Sequence, residues 1–241
     1  MATMIRASLT LAGLTAALAS PALAQEEPPP VAAGSWVFGV GAATDNRSKD
    51  VSKSDGNPYV WGLAEWSSAD GAFYAGSAFE TVRSNGSELE ASVFAGWRPQ
   101  VMGFDLDLNV EHKWLIDANP GADDDAFELT ADVMRSIGPV EGRLRLQHTP
   151  DGVGAREAWT WYEAQVSWDQ TPTWSWSAAV GQREQEVGID YVGWNVGATW
   201  RLSDRFELDG RWHDTDVDGS MAVGDDETYE GRFVIGLSAF F

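Results

Sequence analysis

Three histidines, His112, His148 and His213, are the only side chains here whose ordinary pKa lies near neutrality. Hydrolytic chemistry would need one of them beside an activated hydroxyl or water, with a third group holding the ring in place. No Ser or Asp stands at a spacing that singles out such a set. In extended chain His112 and His148 fall on an apolar face near strand ends, and only His213 falls on a polar face, next to Asp214. No catalytic residue is assigned. A sharper pattern follows at once: Asp214, Asp216, Asp218 and Gly219 reproduce the opening D-x-D-x-D-G of a calcium loop, with Asp225 at the twelfth position, where Glu is usual. Asp226 and Glu227 add oxygens. The flanks read as strands rather than helices, so a solvated acidic loop is the competing reading. The solvated loop is the favoured reading and no cofactor is expected, with weak calcium binding in this loop as the one alternative.

The remaining charges form a field rather than a site. In residues 104–114, Phe104, Leu106, Leu108, Val110, His112 and Trp114 share one face of an extended chain, while Asp105, Asp107, Asn109, Glu111 and Lys113 share the other. A helix would scatter these charges around its circumference. The same alternation places Glu128, Asp132, Arg143, Arg145, Glu163, Asp209, Arg211, Glu230 and Arg232 on the polar side of their strands. These twelve, Asp107, Glu111 and Lys113 included, are the expected lining of a polar interior. A dozen carboxylates with no distinguished pair do not make an acid–base couple.

Twelve such alternating runs can be marked: 35–44, 57–67, 72–81, 88–97, 104–114, 126–135, 140–148, 158–168, 173–181, 190–201, 206–213 and 228–241. Their connections alternate. Short ones rich in Pro, Gly or Asp fall at 67–71, 98–103, 136–139, 169–172 and 202–205; longer polar ones fall at 45–56, 81–87, 115–125, 149–157, 182–190 and 214–227. Aromatics flank four of the five short turns: Trp66 and Phe73, Trp97 and Phe104, Trp168 and Trp174, Trp200 and Phe206. Such rings mark the boundary of an apolar band at a membrane–water interface. The chain ends on Phe233, Ile235, Leu237 and Phe241 along one face, an apolar stripe that a barrel-closing strand presents to lipid and to its assembly machinery. The fold expected is all-β: a transmembrane, antiparallel, up-and-down barrel of about twelve strands. A soluble sandwich would spread its 13 Trp through the depth of a core instead.

Bulk properties agree. Residues 1–24 read as a signal peptide, with Arg6 in the n-region, an apolar run, and Ala22-Leu23-Ala24 before Gln25. Residues 25–33 (QEEPPPVAA) read as a disordered periplasmic tether, and 34–241 as the barrel. Cysteine is absent, so an exported chain here relies on packing and a closed sheet. With 37 acidic against 16 basic residues and a net charge of −21, nucleic acid is excluded as a partner. Outer-membrane lipid and lipopolysaccharide, the barrel-assembly machinery and small solutes are the partners expected.

Residues 43–58, ATDNRSKDVSKSDGNP, followed by Gly71-Ala-Phe-Tyr-Ala-Gly76, resemble the TorF family of porin-like proteins. The matching positions are Asp45, Arg47, Ser52, Ser54, Asp55, Pro58, Gly71, Phe73, Tyr74 and Gly76. The family favours aromatics near Asn46 and Ser48 and Gly near Asp50, which this chain lacks. The resemblance implies a bacterial outer-membrane barrel and a porin's passive diffusion of small hydrophilic solutes. Acidic residues exceed basic ones on the polar faces, so cation preference is expected. Two alternatives stay open: a pore-less structural barrel whose lumen is bridged by Glu–Arg pairs, and an outer-membrane hydrolase.

Overall fold

The computed structural model describes residues 34–153, 157–218 and 228–241. The expected signal peptide (1–24), the tether (25–33), Asp225 and Glu227 lie outside them. Alternation dictates strands, and strands form: β1 Ser35–Ala43, β2 Arg47–Ser48, β3 Val51–Ser52, β4 Tyr59–Ser67, β5 Phe73–Ser84, β6 Ser87–Trp97, β7 Gln100–Val101, β8 Phe104–Ile116, β9 Asp125–Ile137, β10 Val140–Thr149, β11 Trp159–Asp169, β12 Trp174–Gln185, β13 Tyr191–Arg201, β14 Phe206–Thr215 and β15 Arg232–Phe240. The twelve long strands pair antiparallel with their neighbours in sequence. β1 pairs with β15, and β6 pairs with β8, so the sheet closes on itself as a twelve-stranded barrel. Closure leaves no unpaired edge, which the hydrocarbon of a bilayer would penalise.

The two faces are inverted relative to a soluble barrel. Phe38, Val110, Leu129, Leu144, Val166, Val196 and Ile235 point outward and are exposed, whereas Glu65, Asp132 and Arg211 point inward and are buried. Rings flanking the short turns lie on the outside at one end, where Phe73 stacks on Trp97 (6.4 Å) and Trp174 on Trp200 (5.4 Å). The chain terminus seals the seam: the Phe38 and Phe241 backbones each donate to the other's carbonyl, at 3.1 and 2.9 Å. Phe233, Ile235, Leu237 and Phe241 are exposed on the outer face, while Phe240 turns inward against Trp61 (centroids 6.1 Å). Gly41 on β1 is what admits Trp61, since a Cβ there would come within 2.5 Å of the indole nitrogen.

Three expectations need correction. The connection placed at 81–87 is not a long loop: β5 runs to Ser84, β6 starts at Ser87, and Asn85-Gly86 make a two-residue turn with φ of 51° and 83°. Asn-Gly is the pair that tolerates left-handed backbone at both turn positions. The last strand begins at Arg232 rather than 228, so Glu230 sits exposed in the preceding turn, outside the wall. The third correction is the largest. The polar connection at 45–56, expected only as one of the longer loops, folds into the barrel.

Candidate functional site

The inner wall is a stack of ion-paired layers, because every second residue of each strand faces the lumen and those residues are charged. Near the short-turn end, Arg98 bridges Glu65 (3.0 Å) and Asp107 (3.1 Å) and lies 3.7 Å over the Tyr74 ring, whose hydroxyl donates to Asp107 at 2.6 Å. At mid-height Arg145 grips Asp132 with two hydrogen bonds of 2.8 and 2.7 Å, and Arg143 meets Glu163 at 2.6 Å. Arg211 reaches Asp209 (3.2 Å), Ser177 (2.9 Å) and Asn195 (2.8 Å). Toward the long-loop end, Lys113 lies 3.4 Å from Glu111 and 3.2 Å from Glu128. Of the twelve residues expected on the lining, ten sit on this wall. Arg232 stands at the rim, donating to the Gly56 carbonyl at 2.8 Å. Glu230 does not join them.

Across this wall lies the segment between β1 and β4. Its frame is Asp45, which accepts from Arg47 Nε (2.5 Å), Ser52 Oγ (2.6 Å) and Ser54 Oγ (2.9 Å). β2 and β3 pair as a hairpin whose tip, Lys49-Asp50, has φ of 54° and 66°. The tip is anchored on three sides. Asp50 Oδ1 accepts from Asn195 Nδ2 and faces His213 Nδ1, both at 2.8 Å. The Tyr191 hydroxyl donates to the Lys49 carbonyl at 3.0 Å, and Lys49 Nζ lies 3.6 Å from Glu128 on the opposite wall. Lys53 pairs with Glu80 and with Glu90, the latter at 2.8 Å. One apolar contact completes the dock: Val51 is buried with Trp159, Trp161 and Tyr191. Burying such a side chain contributes about 1.5–3 kcal/mol. The hairpin is a plug spanning the lumen.

The electrostatics separate its two lysines. Burial lowers the Lys49 pKa to about 7; Glu128 offsets part of this, while Lys113, Arg183 and Lys53 add to it. Burial also acts against the charge of Lys53, yet Glu80 and Glu90 outweigh it and hold that amine above the ordinary lysine value. Around the plug, space is scarce. A cavity of about 30 Å³ lies against Asp50, Gln147 and Trp161, room for about two waters. A second, of about 150 Å³, lies between the hairpin and the wall residues Lys113, Thr149, Trp159 and Arg183.

The other candidate residues are dispersed. His112 stacks on Phe127 outside the barrel and contacts Asp125 at 2.6 Å, His148 contacts Thr160 at 3.0 Å, and His213 holds the plug. Among these described contacts no histidine joins a hydroxyl to a carboxylate. Asp214, the penultimate residue of β14, accepts from the Thr215 amide, while Asp216 accepts from the Val192 amide at 2.8 Å. Among the described residues no group of three or more potential ligands converges as a metal site. Sequence reasoning missed Lys49, Asp50, Lys53 and Arg183, which belong to a segment and a cavity that strand alternation does not address.

Solved structures share this architecture. The KdgM porin aligns with a TM-score of 0.60 at 7% identity over 85% of this chain and 99% of its own. The NanC porin gives 0.57 at 6% identity, covering 86% and 99%. The COG4313 outer-membrane channel from Pseudomonas putida F1 gives 0.54 at 11% identity, covering 90% and 99%. At such identities the likeness is one of fold. No curated protein matches. A family model matches residues 30–241, the whole barrel, and the chain thereby belongs to the Gcw_chp family, bacterial proteins of unknown function.

Proposed function

We propose that this protein is a porin-like channel of the bacterial outer membrane, passing small hydrophilic solutes by diffusion, with the β2–β3 hairpin as its constriction. The observation that carries the reading is the charged hairpin held across a polar lumen inside an apolar exterior. A structural scaffold has no need of a separately folded polar insert, whereas a channel needs a narrow, chemically defined section. The likeness to KdgM, NanC and the COG4313 channel supports the same class, and the KdgM porin has been solved in complex with disordered oligogalacturonate. The TorF resemblance supports it too, since Asp45, Arg47, Ser52 and Ser54 of the shared motif are the residues that frame the plug. Export by the N-terminal signal, folding by the barrel-assembly machinery and contact with lipopolysaccharide follow from that location.

Cation preference forms part of the proposal. On the wall the carboxylates are matched by Arg and Lys, so the bias comes from the long-loop end, where Asp117, Asp123, Asp124, Glu184, Glu186 and Asp190 are exposed. The ion-paired layers equally favour the second reading, a pore-less barrel. Planar-bilayer recording separates the two. Replacing residues 45–56 with a short Gly-Ser turn should raise single-channel conductance several-fold over the intact protein. A folded, plug-less barrel that still passes no current would establish the pore-less scaffold.

A further inference from the structure

We infer that the cavity of about 150 Å³ between the hairpin and the wall is a binding site for a small hydroxylated carboxylate, a sugar acid of monosaccharide size. The inference rests on the channel reading and deepens it by naming a solute class. The cavity is cationic in an acidic chain: Lys49, Lys53, Arg83, Lys113 and Arg183 line it, against Asp55, Glu90 and Glu128. Glu90 pairs with Lys53, and Glu128 with Lys113 and Lys49, so the excess positive charge on the lining is that of Arg83 and Arg183 over Asp55. Arg183 lies over the Trp159 ring with its guanidinium 4.3 Å from the centroid, and Lys49 Nζ approaches the same ring at 4.3 Å. Two cations on one indole hold the positive charge at a fixed place.

A second observation points to a ligand. Thr149 is 1% exposed and lines the cavity, yet among the described residues its hydroxyl has no hydrogen-bond partner. A buried hydroxyl without a partner is unfavourable unless something fills the space beside it. With Ser48 and Ser84 on the same lining, the site offers cations for a carboxylate and hydroxyls for a polyol. A cavity of 150 Å³ is known to take benzene, so the space here limits a solute to a single ring and excludes an oligomer. An anion seated there would favour the charged form of Lys49, which burial otherwise disfavours. The exposed acids of the loop end set the bias for small ions at the mouth, whereas what seats in the cavity is set by the side chains that line it.

The test is calorimetric titration of the purified, detergent-folded protein with glucuronate, glucose and inorganic phosphate. Glucuronate should bind in the millimolar range, with glucose silent and phosphate at least tenfold weaker. Thr149→Val removes only the unpartnered hydroxyl, so the barrel should fold normally while glucuronate binding weakens about fivefold, the equivalent of one hydrogen bond. Arg83→Gln, at the exposed rim, and Lys49→Gln should each weaken it about tenfold. Equal binding of glucose would overturn the carboxylate, equal binding of phosphate would overturn the sugar acid, and unchanged affinity in all three variants would overturn the site. Because binding is read without current, a protein that binds glucuronate but never conducts would remove the channel reading and leave the site standing.

Discussion

At the residue scale the plug is held by a few buried contacts, and each can be broken singly. Asp50 accepts two hydrogen bonds across the lumen and occupies left-handed backbone. Asp50→Ala should loosen the tip by about 1.5–3 kcal/mol per hydrogen bond to the carboxylate, whereas Asp50→Asn keeps one acceptor oxygen and tolerates the backbone. In planar bilayers the Ala variant should open more often than wild type, with Asn between them. Lys49 gives a pH dependence with a definite sign. Its ordinary pKa of 10.5 falls to about 7 when docked, so between those values the docked hairpin binds fewer protons than the released one. Docking therefore strengthens as pH rises through 7 toward 10 and is weakest, and flat, below 7. Open probability should fall over that range at constant salt, and Lys49→Gln should flatten the response. An unchanged slope in the variant would assign the titration elsewhere.

Element by element, alternation carried far. The twelve strands, their inward charges and the aromatics beside the short turns all follow from side-chain direction in extended chain. The hairpin did not, for a physical reason: its polarity suits water as well as a polar lumen, and its partners Asn195, His213, Glu128 and Tyr191 are remote in sequence. Two local hints existed. Val51 is an isolated apolar residue within a polar run, and Asp45 with Ser52 and Ser54 clusters short side chains able to build a turn. The terminal strand makes its own prediction. Phe241 exchanges both backbone hydrogen bonds with Phe38, so deleting it should lower the heat-modifiable, folded fraction in outer-membrane preparations. The connection 214–227 makes another. Calcium bound through Asp214, Asp216, Asp218 and Asp225, at roughly 10⁻⁴–10⁻³ M, should protect it from added protease. Identical cleavage with calcium and with chelator would return that run to solvated acid.

For the whole molecule, the selectivity of the proposed channel would follow from a balance of matched charges rather than from a count. Glu163→Gln leaves Arg143 without its carboxylate partner, so in a salt gradient the reversal potential should move toward anions. No movement would show that current does not pass that layer. The barrel's closure also has a mechanical side. The β1–β15 seam joins strands from opposite ends of the chain and shares five residue pairs, against eleven between β11 and β12. The hairpin springs from β1, yet it fastens to Tyr191 on β13, His213 on β14 and Arg232 on β15, all on the far side of that seam. It is a clasp across the shortest join in the ring. Releasing the hairpin would remove the bar across the lumen and the fastening across that seam together, so in the proposed channel one event would act on both the passage and the wall.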